Sequence, residues 1–139
     1  MLVNYNNANM LVVEMGNGKQ KLMLVPGINV IDDKVWDGAK ATLDAKIKDG
    51  VVVPIYKVEI VKGKDGKETE VNKPCTPDEI PNDKLDGVVN EIQSEAQADK
   101  FVEASTKESV RAKGMNRKNA IAKELKDLED IQQKLLVKN

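Results

Sequence analysis

Three prolines, Pro74, Pro77 and Pro81, fall within eight positions of this 139-residue chain, and no feature constrains its fold more. The residue before each proline is pushed out of helical space, so residues 72–83 read as an extended connector and the natural boundary between two units. Apolar residues recur with a period close to two before the boundary and close to 3.6 after it. The sequence therefore predicts an α+β protein: a mixed module over residues 1–71, then an all-helical segment over 84–139.

In the first unit, Met10 to Met15 and Lys21 to Val25 are short apolar runs separated by Gly16-Asn17-Gly18-Lys19-Gln20. Glycine and asparagine take positive φ cheaply, so this predicts a β-hairpin. Pro26-Gly27 suits the centre of a type II turn, and Asp32 can cap a helix beginning at Asp33. Val35, Trp36, Ala39, Leu43 and Ile47 would line one face of that helix, and Gly50 would stop it. Val51 to Val61 is the most strand-like run; Pro54 cannot donate to a ladder and belongs at an edge or a bulge. Asp65-Gly66 suits a polar hairpin returning towards Val71. Residues 1–9 show no periodicity and read as a mobile arm able to order on a partner.

In the second unit, Leu85, Val88, Val89, Ile92, Ala96 and Phe101 predict a helix over residues 83–104. Ile121, Leu125, Leu128, Ile131 and Leu135 predict another over 117–137. Between them Gly114 reads as a stop and Asn116 as a cap.

Composition removes whole classes of chemistry. There is no histidine and one cysteine, Cys75, which excludes histidine-dependent triads, histidine-ligated zinc or haem and an intramolecular disulfide within one chain. With 22 Lys+Arg against 23 Asp+Glu and 3% aromatic residues, no global excess of charge marks a nucleic-acid or membrane binder. Apolar runs are far shorter than a bilayer span and no basic segment precedes an apolar core, so the sequence reads as soluble, made inside the cell and without a membrane partner.

Each carboxylate pair, Asp32-Asp33, Asp78-Glu79 and Glu129-Asp130, has a structural reading at a helix start, after a proline or on a charged helix face. Cys75 reads as an incidental loop thiol. Gly16-Asn17-Gly18-Lys19 lacks the spacing of a phosphate loop, and Asp65 to Glu68 lacks the alternating ligands of a calcium loop. No catalytic residue, metal ligand or cofactor is assigned. One cluster stands out: Arg111, Lys113, Arg117 and Lys118 lie at the junction of two expected helices, and read either as a solvated helix start or as contacts to nucleic-acid phosphates.

The stretch Leu24-Val25-Pro26-Gly27-Ile28-Asn29-Val30-Ile31-Asp32-Asp33-Lys34-Val35-Trp36, followed by a helix and Gly50-Val51-Val52-Val53, resembles a Pro-Gly-aliphatic-Asn, acidic, Trp pattern of small morphogenesis proteins of tailed phages and Mu-like prophages. It covers about thirty residues. The resemblance implies a structural protein of the virion, associated with the capsid or the head-to-tail region, present in several copies and bound to phage structural subunits. It brings no catalytic residues. On that reading the expected partner contacts are Leu2, Val3 and Tyr5 in the arm, Pro54, Ile55 and Tyr56 on the presumed edge, and the stripe Leu125, Leu128, Ile131 and Leu135. The alternative is a small nucleic-acid-binding accessory protein using the basic segment 107–118.

Overall fold

A computed structural model describes residues 1–14 and 21–137, with the side chain of Val137 outside the description. The loop expected to turn the first hairpin therefore lies outside the described residues. The chain order is β1 (Leu2–Tyr5), β2 (Leu11–Glu14), β3 (Lys21–Leu24), β4 (Gly27–Val30), α1 (Asp33–Ala39), α2 (Asp44–Lys48), β5 (Val52–Lys62), β6 (Glu68–Pro74), a short 3-10 turn (Pro77–Glu79), α3 (Asn82–Asn90), α4 (Glu95–Glu103) and α5 (Glu108–Val137). This is the mixed α+β architecture that the change of period predicts.

The antiparallel sheet runs β4-β1-β5-β6, so the N-terminal segment is an inner strand. That corrects the expectation of a mobile arm. Leu2 lies opposite Val30 and Ile55, and Tyr5 opposite Gly27 and Val52. Side chains alternate across the sheet. Val3 and Tyr5 enter a core with Trp36, Ala39, Leu43, Leu22, Leu24 and Val52, beneath α1, α2 and the β2–β3 hairpin. Leu2 enters a second core on the other face with Ile28, Leu85, Val89, Ile92, Phe101 and Val110. The apolar faces of α3, α4 and the first part of α5 are thus buried in the core on that side of the sheet, and one four-residue strand feeds both cores.

Asp32 caps α1 as expected, its Oδ1 accepting from Lys34 N at 2.9 Å. The single helix expected from Asp33 to Gly50 is instead two short ones, separated at residues 40–43, where Asp44 N reaches back three residues to Ala41 O at 3.4 Å. Its apolar positions still converge, because Leu43 N keeps the four-residue bond to Ala39 O. Gly50 ends the segment at φ +75°, a conformation that glycine takes without a Cβ clash.

Pro54 lies opposite Val3 in the part of β5 that pairs with β1; Tyr56 to Lys62 pair with β6. It therefore has one strand neighbour, as a residue without an N–H requires. The return strand runs past Val71 to Pro74, so the expected connector begins as sheet.

The helix expected over residues 83–104 is broken at residues 91–94, and Ser94 caps α4 by accepting from Gln97 N. Gly114 does not stop a helix, nor does Asn116 cap one; both lie inside the thirty-residue α5, about 45 Å long at 1.5 Å per residue. A Cβ on Gly114 would stand 2.8 Å from Val102 Cγ2 and 3.0 Å from Phe101 Cδ1, so glycine is there to let α5 approach α4.

Candidate contact surfaces

The Pro-Gly-aliphatic-Asn motif is a docking turn. Gly27 has φ +100°, and Asn29 closes the turn from within: its Oδ1 accepts from Val25 N at 3.0 Å, and its Nδ2 donates to Val25 O at 2.8 Å and Gly27 O at 3.0 Å. The loop between α3 and α4 sits so close that a Cβ on Gly27 would lie 2.5 Å from Gln93 Cγ and 2.7 Å from Gln97 Oε1 and Glu91 O. Gln97 is buried and bridges the two, donating to Pro26 O at 2.7 Å and accepting from Gln93 N at 2.8 Å. Beside this joint runs a groove of about 780 Å³ lined by Met23, Ile28, Val30, Val35, Ala96 and Lys100 among others. Both amide atoms of its buried glutamine are spent on the joint, so what the groove offers is largely apolar wall.

Each member of the basic cluster has a partner on α3 or α4 or just past their ends. Arg111 Nη1 donates to Val102 O at 2.9 Å and to Ser105 O at 3.0 Å, satisfying carbonyls at the end of α4. Arg117 Nε donates to Ile92 O at 3.0 Å, just past α3. Lys113 pairs with Asp86, and Lys118 with Asp99 at 2.7 Å. A helix end leaves carbonyls without intrahelical partners, and cationic side chains are well suited to them. The four residues expected near phosphates are therefore tethers from α5 to α3 and α4. Asp99 beside Lys118 raises that ammonium above its ordinary pKa.

The carboxylates of the 3-10 turn also hold the fold. Asp78 accepts from Thr106 N, Thr106 Oγ1 and Lys107 N at 2.7 to 3.0 Å, putting a negative charge at the start of α5. The Lys107 amide, then the Thr106 hydroxyl, hold its carboxyl below the usual range. Glu79 pairs with Lys57 and accepts from Thr76 N at 3.2 Å in a capping box; Lys57 is the main cause of its lowered pKa. Lys57 in turn is held above its ordinary value, chiefly by Glu79.

Cys75 lies in the loop between β6 and the 3-10 turn. It is buried in the second core, donates to Thr76 O at 3.2 Å, and burial pushes its pKa up, the opposite of an activated nucleophile. Among the described residues no group of three Cys, Asp or Glu could hold a metal ion.

The expected partner contacts divide. Leu2 and Val3 are fully buried and Tyr5 nearly so; their work is the two cores. Pro54 and Ile55 are half-buried beside β1, and Tyr56 is exposed where β5 leaves it. From there β5 and β6 continue as a two-stranded arm in which alternation puts Tyr56, Val58 and Ile60 on one side. Val58 and Ile60 keep 59% and 65% of their surface exposed. The expected contacts Pro54, Ile55 and Tyr56 leave out Val58 and Ile60, whose every-second-residue spacing from Tyr56 is the sequence signal for them. On α5, Ile121 is buried, while Leu125, Leu128, Ile131 and Leu135 are all more than half exposed, as is Leu136.

Comparison with protein-family models, curated proteins and solved structures finds no match.

Proposed function

We propose that this chain is a non-enzymatic structural protein of a tailed-phage virion, capsid-associated or at the head-to-tail region, acting through contacts with neighbouring subunits. The observation that carries the contact reading is the β5–β6 arm, a two-stranded ribbon whose Tyr56, Val58 and Ile60 face solvent on one side. Isolated two-stranded hairpins are marginal in water, and contiguous exposed apolar surface is the usual mark of an interaction site. The virion setting comes from the resemblance around Pro26-Gly27-Ile28-Asn29 and Trp36 and rests on that alone. In a particle, many copies each burying a few such side chains attach firmly even though one contact is weak. The nucleic-acid alternative would require Arg111, Lys113, Arg117 and Lys118 to release the carbonyls and carboxylates they hold, so it is the less supported reading.

The test is mass spectrometry of purified particles from cells expressing the chain, with a Val58→Lys/Ile60→Lys variant alongside. The parent chain is expected in assembled particles in multiple copies. The variant, whose changes fall on exposed positions, is expected to keep its circular dichroism and to drop at least tenfold in particles. Absence of the parent chain from particles overturns the reading; equal retention of the variant overturns the arm as the contact.

A further inference from the structure

Every residue of α5 from Lys123 to Leu136 is exposed, so the folded body leaves the distal half of this helix largely uncovered. Its apolar residues are nevertheless ordered. Ile121, Leu125, Leu128, Ile131 and Leu135 follow one another at steps of four, three, three and four. That spacing reads the same from either end, with Leu128 at its centre.

We propose that this half-helix pairs with the same segment of a second copy of the chain, antiparallel, about a two-fold axis passing at Leu128. The proposal rests on reading the α5 stripe as a protein-contact surface and names its occupant. A two-fold interface demands that if residue i meets residue j, then j meets i. A parallel pair meets it trivially, each residue facing its own copy, whereas an antiparallel pair keeps apolar residues opposite apolar residues throughout only if the stripe is symmetric about its centre, as this one is. Leu128 then faces the partner's Leu128, Leu125 faces the partner's Ile131, and Ile121 faces the partner's Leu135. A parallel seam alternates steps of three and four without reversing. Continued from Leu125 and Leu128, it would need an apolar residue at position 132, which is Gln132, and would leave Ile131 beside the seam.

The folded body provides for the far end of such a partner. Where the stripe enters the body, Ile121, Leu125 and Leu128 are the apolar lining of a groove of about 580 Å³ whose polar lining is Gln93, Ser94, Glu95, Arg117 and Glu124. The antiparallel register delivers the partner's Leu135 to this groove, with Leu136 one residue further. The area is also sufficient. Leu125, Leu128, Ile131, Leu135 and Leu136 each retain 53% to 76% of their surface. At on the order of 100 Å² apiece, two copies bury roughly 1,000 Å², the lower limit of a specific interface. A reversible dimer is the expected outcome.

Sedimentation equilibrium of the full chain tests the association, and engineered cysteines test its direction. The chain is expected to pass from 15.3 kDa to twice that mass as its concentration rises through roughly 1–100 µM. Leu128→Asp, an exposed change that leaves the cores alone, is expected to weaken the dimer at least tenfold with circular dichroism retained. Under mild oxidation Leu128→Cys is expected to link to itself, while Leu125→Cys and Leu135→Cys do not. Leu125→Cys mixed with Ile131→Cys links, and the parent chain, whose Cys75 is buried, serves as control. A monomer throughout, a trimer or larger species, self-linking of Leu135→Cys, or an unaltered dimer in Leu128→Asp overturns the proposal. None of these results depends on whether the chain is found in particles, so this inference and the virion reading fail separately.

Discussion

Gln97 Nε2 donates to the carbonyl oxygen of Pro26 at 2.7 Å across 71 positions of sequence, while its Oε1 accepts from Gln93 N. One buried side chain thus ties the turn before β4 to the start of α4, and so the sheet to the helices. Gln97→Leu keeps the bulk but leaves the Pro26 carbonyl and the Gln93 amide without that partner. A loss of about 1–3 kcal/mol is expected, because an unsatisfied buried group costs more than a hydrogen bond gains. Urea unfolding checks it; a change under about 0.5 kcal/mol, the scatter of surface substitutions, would show the tie to be dispensable.

Two helical glycines should respond in opposite directions to the same substitution. Gly87, inside α3, has nothing within 4 Å of where a Cβ would stand, so Gly87→Ala is expected to stabilise the chain by about 0.4–1 kcal/mol. Gly114, inside α5, meets Val102 Cγ2 at 2.8 Å. The β-branched Val102 has little rotamer freedom with which to yield, so overpacking of about 1–3 kcal/mol exceeds the gain in helix propensity. Thermal melts of the two variants check the signs; two increases in midpoint would remove Gly114 from the packing account.

The same glycine shows why some of this structure could be read in the sequence and some could not. Helical periodicity was legible at Leu85, Val89 and Phe101 and at Trp36 and Ala39, because each sits on an element with one buried face. Gly114 carries the sequence signature of a stop, and only the nearness of Phe101 and Val102 makes it a packing residue. β1 was missed for a different reason. Leu2-Val3-Asn4-Tyr5 is buried on both faces, so it lacks alternation, and its four residues are followed by Asn6-Asn7, which read as loop. Its partners lie near residues 28 and 54, where no local rule reaches. The candidate surfaces split in the same way. The α5 stripe was visible as period, whereas the tethering of Arg111 and Arg117 depends on where α3 and α4 end.

Asp78 gives the chain an acid-sensitive joint. Its carboxyl is held below the ordinary range, first by the Lys107 amide and then by the Thr106 hydroxyl. A carboxyl whose folded pKa is depressed stabilises the fold above its unfolded pKa and loses that contribution as pH falls through the folded value. Asp78→Asn should therefore unfold at lower urea than the parent at pH 7, with the gap closing at pH 3, below the ordinary carboxylate pKa of about 4. Equal midpoints at pH 7, or a gap that persists unchanged at pH 3, would remove Asp78 from the joint.

Arg111 and Lys118 belong to one basic cluster but should differ when truncated. Arg111 reaches two carbonyls at the end of α4: that of Ser105, and that of Val102, which also accepts from Ser105 N at 3.0 Å. Arg111→Ala removes a charged donor from both, and a loss of about 1–2 kcal/mol in urea unfolding is expected, at the scale of hydrogen bonds to charged groups. Lys118 pairs with Asp99 in the open, where solvent screens the attraction and Asp99 rehydrates freely once the lysine is gone. Lys118→Ala is expected to leave the unfolding midpoint unchanged. Should both variants unfold like the parent, the cluster would be a solvated surface after all, and its cations would again be free for a phosphate partner.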